Sequence, residues 1–561
     1  MDLKSIAIGE DDFKLLRSAN NYFVDKSLFI EEVIKESSRV LLFPRPRRFG
    51  KTLNMSMLSY FFTHNDAEEN RQLFNGLDIA QSPVFEEHHG QYPVVFLSFK
   101  SCKGKTYDMV FSGIKNVIAN AYKIHEAILQ KPIYSEAEKE KFLLIAHEKA
   151  DEMLVSQSLH FLTEMLHRFY NKKVIILLDE YDTPIHEAYL NGFYDNAVNL
   201  LRVLLGNALK GNPYLQKGVL TGILRVSKES MFSDLNNIMV YSILSQNFNE
   251  FFGFTQPEVD DLVTYFGMGS EKEQVKGWYN GYYFGDLEVY NPWSILSFAK
   301  GHGMYRAYWL GTSANELVQK LIKDSDKLVK KDIEDALNNK PVISRVEDNI
   351  SFPHLEASRE NIISFLVQTG YLKARYSEMQ DSRLMYHVSI PNQELRIIYT
   401  DTVNMWFEQN IGSSSLKEML NALIEGDLPL FERIFSIFVL ETLSFFNVGR
   451  KTPEVERVFQ AFLLGMLINL KDRYQVYSEK ESGYGRFDVS LVPHDKSKVA
   501  IIMELKSIDT FHNETREQTL DSALKQIEDR QYETLLRQQG CQNIMKLAVT
   551  FDGKRVWVKR G

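Results

Sequence analysis

The tripeptide Gly50-Lys51-Thr52 is the first group in this sequence whose residue types and spacing could do chemistry. It follows an apolar run, Val40–Phe43, and a short loop, and it precedes a helical pattern. In this order, backbone N–H groups at a helix N-terminus hold phosphates, the lysine reaches the β and γ oxygens, and the hydroxyl meets Mg²⁺. The pattern departs from the general G-x-x-x-x-G-K-[ST] loop, because Arg45 occupies the position of the first glycine.

A second chemical group stands at the end of another apolar run, Val174–Leu178, which is followed by Asp179 and Glu180. In nucleotide hydrolases the first acid holds Mg²⁺ beside the phosphate loop, and the second can accept a proton from the attacking water. Taken alone, the two acids could also be a strand-end cap or a solvated turn. Together with the Gly-Lys-Thr loop, they predict nucleotide binding.

Two weaker candidates follow the apolar residues 218–220. Thr221 could sense the γ-phosphate, and Arg225 could reach phosphate in the manner of an arginine finger. The alternatives are a polar turn residue for the first and a surface charge for the second. The sequence has no Asn-Lys-x-Asp motif for reading guanine, so ATP is the expected nucleotide.

A third group lies near the C-terminus, where Asp488 is followed by Glu504 and Lys506. Residues two apart on a strand point to one face, and a turn at 493–496 would fold the strand of Asp488 back beside Glu504. Two carboxylates could then share Mg²⁺ or Mn²⁺ with a lysine beside them, as phosphodiester cleavage requires. The alternative is an exposed strand pair with alternating charges, although the preceding run is apolar and buried charge is costly.

Four regions of the chain must position these groups. Residues 1–240 alternate strand-like and helical segments, which predicts a mostly parallel sheet covered by helices, as in P-loop nucleotide hydrolases. Residues 241–310 are rich in aromatics and predict a small, tightly packed subdomain. Residues 311–447 are mainly helical, and residues 448–561 again mix helix and strand. In the first region the strands are expected at 40–43, 94–99, 174–178 and 218–223.

The third region contains a pattern that resembles a winged-helix unit. A helix at 359–369 is followed by a hairpin, 371–376 with 384–390, and by a second helix at 392–407. Such units either contact DNA or serve as spacers between proteins. Lysines between 320 and 331 could add a basic surface, but the aspartates among them favour a solvated amphipathic face.

The fourth region opens with a predicted helix at 453–470. A long polar helix is expected at 513–538, between the last two strands. The strands themselves are expected at 474–478, 487–492, 499–505 and 547–551.

The motifs of the first two regions resemble the bacterial AAA-ATPase-like family. Its members carry an Arg-Pro-Arg-Arg-Phe-Gly-Lys-[Ser/Thr] loop, so an arginine at position 45 fits this family. The segments 22–27 and 178–184 match as well, and 278–282 and 291–294 look like the family's lid region. The resemblance implies a phosphate loop made by Arg45, Arg47, Arg48, Phe49, Gly50, Lys51 and Thr52.

The fourth region is similar to the PD-(D/E)XK nuclease-like domain that is commonly fused to the AAA-ATPase-like domain. The matching motifs are Gly485–Asp488, Glu504–Lys506 and Ala523–Ile527. The resemblance implies an α/β restriction-endonuclease-like fold and an active site of Asp488, Glu504 and Lys506, with Gln526 assisting.

Two positions on the first predicted helix of this region are less certain members of the site. Glu456 is a candidate for an additional acid on the metal side, and its alternative is a solvated helix face. A histidine that is common at the other position is replaced here by Gln460, so that position has no assigned role.

Composition limits the partners and the compartment. The 65 Lys and Arg against 74 Asp and Glu give a net charge of −9, so any nucleic-acid contact needs a local basic surface. The two cysteines cannot form a Cys-rich zinc site or a disulfide framework, which suits a reducing cytosol. No apolar run reaches the ~18–20 residues of a membrane helix, and the N-terminus turns acidic where a signal peptide is apolar. We therefore expect a cytoplasmic protein without a membrane partner.

These observations predict a multidomain α/β protein that binds and hydrolyses ATP with Mg²⁺. They also predict a Mg²⁺- or Mn²⁺-dependent nuclease that cleaves nucleic acid, with DNA as the favoured substrate. One alternative is a nucleotide-regulated switch whose nuclease fold only binds nucleic acid. Another is a signalling ATPase whose C-terminal domain binds protein. The resemblance to AAA-type ATPases also suggests a homo-oligomer, with a monomer or a dimer as the alternative.

Overall fold

The computed structural model describes residues 3–225, 237–311, 321, 327–337, 340–350, 352–399, 413–442, 463, 466–482, 485–508, 514–552 and 555–561. The chain divides into two compact units, Met1–Arg396 and Ile397–Gly561. The finer division into four regions remains a prediction. Within the described ranges, no helix has the length and apolar character that crossing a membrane requires.

The first unit is built on a five-stranded sheet. Its strands are β1 (Val40–Pro44), β2 (Val94–Ser98), β3 (Val174–Asp179), β4 (Leu215–Gly222) and β5 (Ile238–Val240). They lie in the order β2-β3-β4-β1-β5, and every neighbouring pair is parallel. Because β1 and β3 are buried along their whole length, they read as unbroken apolar runs in the sequence. The predicted parallel sheet is confirmed, and β5 is added to it.

The α-helices between and around these strands carry the apolar stripes that cover the sheet. α8, for example, begins at the N-cap Asp151, whose carboxylate accepts from the Leu154 amide at 2.8 Å, and it packs on α10. The helices are α1 (Phe13–Ser18), α2 (Leu28–Lys35), α3 (Lys51–Phe62), α4 (Ala67–Arg71), α5 (Val84–His88), α6 (Tyr107–Ile124), α7 (Glu136–Ala146), α8 (Glu152–Tyr170), α9 (Thr183–Asn191) and α10 (Tyr194–Leu209).

A small aromatic subdomain follows in the same unit. Its helices and strands are β6 (Phe254–Thr255), α11 (Gln256–Tyr265), α12 (Lys272–Tyr279), β7 (Tyr282–Phe284), β8 (Leu287–Tyr290) and α13 (Pro292–Lys300). The strands form an antiparallel sheet in the order β6-β8-β7. Tyr279, Tyr290 and Phe298 are buried in one apolar cluster here, which confirms the predicted tight packing.

The remainder of the first unit contains the predicted helix and hairpin. Its elements are α14 (Lys327–Leu337), β9 (Val342–Arg345), α15 (Arg359–Gln368), β10 (Lys373–Gln380) and β11 (Arg383–Ser389). A helix over residues 393–399 includes the boundary between the two units at Arg396. The strands are antiparallel in the order β10-β11-β9. The rest of the second predicted helix, residues 400–407, lies outside the described ranges.

The second unit contains a mixed five-stranded sheet between two groups of helices. The helices and strands are α16 (Ser413–Glu425), α17 (Leu428–Thr442), β12 (Tyr474–Ser482), β13 (Gly485–Pro493), β14 (Ala500–Ser507), α18 (Arg516–Asp529), α19 (Glu533–Gln538), β15 (Ile544–Asp552) and β16 (Arg555–Arg560). The strands follow chain order, and β14 with β15 is the parallel pair. Ile501 and Met503 face α16 and α17, whereas Ile502 packs against Ile527 of α18.

Two expectations for this unit need correction or fall outside the description. The single helix predicted at 513–538 is in fact α18 and α19, because Gln531 adopts a left-handed conformation with φ +52° between them. Most of the helix predicted at 453–470, including Glu456 and Gln460, lies outside the described residues. The predicted strands are confirmed as β12 to β15.

Candidate functional site

The loop between β1 and α3 contains two residues with left-handed backbone. Gly50 has φ +79° and is the N-cap of α3, whose first residue is Lys51. A Cβ on Gly50 would meet nothing within 4 Å, so the glycine serves the backbone conformation and not a close contact. Arg48 has φ +69°, which is unfavourable for a residue with a side chain. Such strain is concentrated at functional sites in proteins.

Asp179 joins the phosphate loop to the middle of the parallel sheet. It is the last residue of β3 and is fully buried. The Thr52 hydroxyl donates to one carboxylate oxygen at 2.8 Å, and the Thr221 hydroxyl donates to the other at 2.5 Å. Burial raises the pKa of Asp179, and the two hydroxyl groups act in the opposite direction. Three of the residues singled out from the sequence therefore meet at one carboxylate.

The Lys51 side chain curls back onto its own loop. Its amine donates to the carbonyl oxygens of Arg45 at 3.0 Å and Pro46 at 2.9 Å. Burial lowers the pKa of Lys51, whereas Glu180 and Asp179 raise it. The amine therefore lies within the field of both acids at the end of β3.

Arg45 extends into the protein interior through its side chain. The guanidinium donates to the carbonyls of Pro44 at 2.9 Å, Tyr241 at 2.5 Å and Phe248 at 3.1 Å. It also makes cation–π contacts, 4.9 Å from the centroid of the Phe252 ring and 5.1 Å from that of Phe284. Burial lowers the pKa of Arg45 to about 9. These contacts place the guanidinium in a buried cage of carbonyls and rings, while the Arg45 backbone stays in the loop.

The turn after β3 holds the second acid in a strained conformation. Glu180 has φ +52°, and its carboxylate accepts from the Thr183 hydroxyl at 3.2 Å. Asp182 is buried and accepts from the amides of Ile223 and Leu224 at 2.8 and 2.9 Å. Burial raises the pKa of Asp182 to about 6. Asp182 thus ties this turn to the chain that leaves β4, a role that the sequence did not reveal.

Arg225, which follows this segment, is influenced by a different acid. Burial lowers its pKa, and the carboxylate that opposes this effect most is Asp348. Arg225 also accepts the Ile350 amide through its backbone carbonyl at 3.4 Å. Its electrostatic partner therefore belongs to the segment before α15.

The aromatic subdomain contacts the phosphate loop through residues that the sequence did not place in the site. The Asn291 side-chain amide donates to the Arg47 carbonyl at 3.3 Å. The Arg48 guanidinium lies 3.8 Å from the centroid of the Trp293 ring, a cation–π contact. Phe49 is buried against aromatic rings of β7. A signal was available, because Asn-Pro-Trp-Ser is one of the motifs of the family's lid region.

The second candidate site lies on the face of β14 that packs against α18. β13 and β14 are antiparallel, and Val489 pairs with Met503, so Asp488 and Glu504 stand at adjoining positions of neighbouring strands. The Asp488 carboxylate accepts from the Leu505 amide at 2.8 Å. The turn at 493–496 therefore folds the first strand back beside Glu504, as the sequence predicts.

Side chains of α18 hold the two charged residues of β14. Gln526 donates from its amide to the Glu504 carboxylate, which is almost fully buried. Lys506 donates to the Ser522 hydroxyl at 3.0 Å. Because both contacts go to the same helix, Glu504 and Lys506 share a face, and Gln526 is next to Glu504.

Tyr532 is an additional member of this site. Its hydroxyl accepts from the Gln526 amide at 3.4 Å, and its ring is buried. Burial raises the pKa of Tyr532, and the carboxylates of Glu504 and Asp488 add to that effect. The residue was visible on the predicted long helix, but only the break at Gln531 turns it back to Gln526.

The oxygen ligands at this site suit a hard cation that takes few of its ligands from the protein. Asp488 and Glu504 provide carboxylate oxygens, which Mg²⁺ and Mn²⁺ prefer. Within the described ranges, no three His, Cys, Asp or Glu residues converge as a complete ligand group. Glu456, the further acid considered from the sequence, lies outside those ranges. Magnesium commonly keeps several waters, so two carboxylates are compatible with it.

This chain is similar to a curated protein and to a solved structure. The chain is 24% identical over 442 residues to an uncharacterized protein in the vnfD 5′ region of Azotobacter chroococcum mcd 1. The alignment covers 78% of this chain and 78% of that protein. The structure of the Aeropyrum pernix ORC1 protein in complex with DNA aligns with 71% of this chain and 98% of its own, at 12% identity and a TM-score of 0.25.

Two family matches cover the two candidate sites. Residues 7–232 match the AAA-ATPase-like family, whose description is "Predicted AAA-ATPase". Residues 454–561 match the PD-(D/E)XK nuclease superfamily. The first range includes the phosphate loop, Asp179 and Thr221, and the second includes Asp488, Glu504 and Gln526. The chain therefore joins an AAA-ATPase-like domain to a C-terminal domain of the PD-(D/E)XK nuclease superfamily.

Proposed function

We propose that the first unit binds ATP with Mg²⁺ and hydrolyses it. The proposal is supported by the meeting of Thr52 and Thr221 at the Asp179 carboxylate. Thr52 and Asp179 would hold Mg²⁺, which neutralises charge on the phosphates when bound. Lys51 would exchange its loop carbonyls for phosphate oxygens, and Glu180 would take the proton of the attacking water.

For the second unit we propose a metal-dependent nuclease that cleaves nucleic acid, with DNA as the first substrate to test. The observation that carries this proposal is the position of Asp488 and Glu504 on neighbouring strands, with Lys506 on the Glu504 face. Mg²⁺ or Mn²⁺ held by the two carboxylates supplies a Lewis acid for the phosphate. Lys506 would stabilise negative charge on the phosphate, and Gln526 keeps the Glu504 carboxylate in place.

The test is incubation of the purified protein with single- and double-stranded DNA, with and without ATP, across Mg²⁺ and Mn²⁺. We expect cleavage that needs the metal and that falls at least about 100-fold in Lys506→Ala and Glu504→Ala. Lys51→Ala should abolish ATP turnover, and any change in cleavage by that variant reports coupling between the two activities. Unchanged cleavage in Lys506→Ala would overturn the assignment of the site.

A second candidate function is a nucleotide-regulated module that binds nucleic acid without cutting it. The observation that favours it is that, among the described residues of the second unit, no third His, Cys, Asp or Glu converges with Asp488 and Glu504. In that case DNA binding would be measurable while no combination of metal and strand type gives cleavage. ATP turnover insensitive to DNA, without strand binding, would instead point to a signalling ATPase.

The division of labour along the chain is also part of the proposal. Residues 1–240 form the ATPase core and 241–310 its lid. Residues 311–447 form a winged-helix-like middle region, and 448–561 form the nuclease-like domain. Limited proteolysis with mass spectrometry of the fragments tests these bounds, because cleavage concentrates at exposed connections between domains.

A further inference from the structure

A polar cleft of about 560 Å³ opens beside the candidate nuclease site. One wall is Lys506 of β14, and the other is α18. The side chains of Ser522, Lys525, Gln526 and Asp529 line it, and their spacing of three, four and seven residues places them on one face of the helix. The cleft is therefore a feature of regular secondary structure and not of a loop.

The helix break at Gln531 completes the cleft. α18 ends at Asp529, Arg530 is its C-cap, and Gln531 takes φ +52°. The Tyr532 amide then returns to the Ile527 carbonyl at 3.2 Å. A continuous helix would carry these residues onward along its axis. The break instead brings Arg530 and Tyr532 into the lining.

The charge of the cleft is opposite to that of the chain. Lys506, Lys525 and Arg530 give three positive charges against one negative charge from Asp529, a local balance of +2. The whole chain has a net charge of −9. A concave surface of one sign concentrates ligands of the other sign, and a polyanion needs such a local surface to approach an acidic protein.

The cleft is continuous with the candidate catalytic residues. Gln526 lines the cleft and donates to Glu504, and Lys506 lines it and donates to Ser522. A ligand in the cleft would thus contact Lys506 and also Gln526, which holds the Glu504 carboxylate. A small anion would contact only some of the cationic side chains of the cleft, whereas a chain of phosphates would contact all of them.

We propose that this cleft is the path of the nucleic-acid backbone, in which Lys525 and Arg530 bind phosphates beside the one presented to Asp488 and Glu504. The inference rests on the proposed nuclease function and adds to it the course of the strand and two substrate-binding residues. Arg530 lies outside the motifs that carry the nuclease resemblance, and Lys525 occupies the unspecified position x of the Ala-Leu-x-Gln-Ile motif at 523–527. Both act through charge, so their contribution must fall with rising salt.

The experiment measures binding without cleavage. A fluorescent single-stranded oligonucleotide is titrated with the full chain in EDTA and in Ca²⁺ at several salt concentrations. The variant is Lys525→Gln with Arg530→Gln. Its matched control, Lys496→Gln with Lys498→Gln, also removes two charges from exposed lysines, in the turn at the opposite end of β14. Thermal melts establish that both variants are folded.

We expect the slope of log Kd against log salt to decrease by about 1.4 in the cleft variant and to stay unchanged in the control. At roughly 0.1 M salt, the cleft variant should bind about tenfold or more weakly. Equal slopes for wild type and cleft variant would overturn the proposal. So would displacement of the oligonucleotide by polyglutamate of equal charge at equal concentration, because the cleft would then be a site for acidic peptides.

Failure of this inference can be told from failure of the nuclease itself. If Lys506→Ala abolishes cleavage while the salt slope of the cleft variant equals that of wild type, the nuclease stands and the strand follows another path. If the slope falls as expected while no metal gives cleavage, the cleft binds nucleic acid in a non-catalytic module.

Discussion

The side-chain amide of Asn291 donates a hydrogen bond to the backbone carbonyl of Arg47 at 3.3 Å. The same side chain caps α13, because its oxygen accepts from the amides of Trp293 and Ser294. Asn291 is fully buried, so each of its polar atoms must find its partner within the protein. One residue of the aromatic subdomain therefore fixes both its own helix and a peptide of the phosphate loop.

Asn291→Asp should separate these two roles. The carboxylate keeps the cap on α13, where negative charge is favourable, but it can no longer donate to the Arg47 carbonyl. We expect a fluorescent ATP analogue to bind about tenfold more weakly, and the thermal midpoint to fall because a buried carboxylate oxygen then faces the Arg47 carbonyl. Asn291→Ala, which loses both contacts, should also lower both quantities. Unchanged nucleotide affinity in Asn291→Asp would show that this contact does not position the loop.

We expect the Arg45 side chain to stabilise the fold. Arg45→Met removes the donor to three buried carbonyls, and we expect a loss on the order of 3 kcal/mol in the free energy of unfolding by urea. Arg47→Ala is the matched control, because that side chain is only half-buried and its loss should cost less than about 1 kcal/mol. Loss of nucleotide binding by Arg45→Met at full stability would contradict this and assign the guanidinium to phosphate.

Glu394 should make the first unit sensitive to pH. It is fully buried and accepts from the Ser294 hydroxyl and the Trp309 amide, both at 2.8 Å. Burial raises the pKa of Glu394 to about 7 from its ordinary 4.5. The folded state thus holds a proton that the unfolded chain has lost, so its contribution to stability falls as pH rises from about 4.5 to about 7 and is level above that. The total change is about 3 kcal/mol.

Glu394→Gln mimics the protonated side chain, since its carbonyl can accept from Trp309 and its amide can donate to Ser294. Its thermal midpoint should match wild type at pH 5 and exceed it at pH 8. Comparing the two proteins removes the effect of all other titrating groups. Parallel curves across this range would show that Glu394 keeps an ordinary pKa.

Tyr532→Phe tests the support of the Glu504 carboxylate. The substitution removes only the hydroxyl that accepts from Gln526, so the ring remains packed and stability should change by less than about 1 kcal/mol. We expect the Mn²⁺ concentration for half-maximal cleavage to rise severalfold, because partners of metal ligands tune affinity. Gln526→Ala should show a larger shift in the same direction. An unchanged metal dependence in both variants would separate them from the metal site.

The elements that carry the site were readable in the sequence for a physical reason. β1 and β3 are buried on both faces, so they appear as apolar runs, and the loop and acids follow directly at their carboxyl ends. Asp488 and Glu504 come together through one short turn. These relationships depend on neighbours in the chain.

The features that were missed depend on distant contacts. The carbonyls of Tyr241 and Phe248 that receive Arg45 lie about 200 residues further along the chain, so the loop sequence alone does not reveal its direction. The break after α18 has no glycine or proline to mark it, because Gln531 takes a left-handed conformation while Tyr532 becomes buried beside Gln526. Local propensity favoured one continuous helix there.

If the loop binds nucleotide as proposed, the bonds of the Lys51 amine to the Arg45 and Pro46 carbonyls compete with the phosphates for that amine. Any incoming phosphate has to replace two good acceptors, so the observed affinity reports the difference between phosphate and these carbonyls. Substitutions that loosen the loop would weaken these lysine–carbonyl bonds as well as the backbone contacts to phosphate. A more flexible loop could therefore bind nucleotide more tightly or less tightly. Ligand selectivity in this unit would then rest on the rival acceptors as much as on attraction to phosphate.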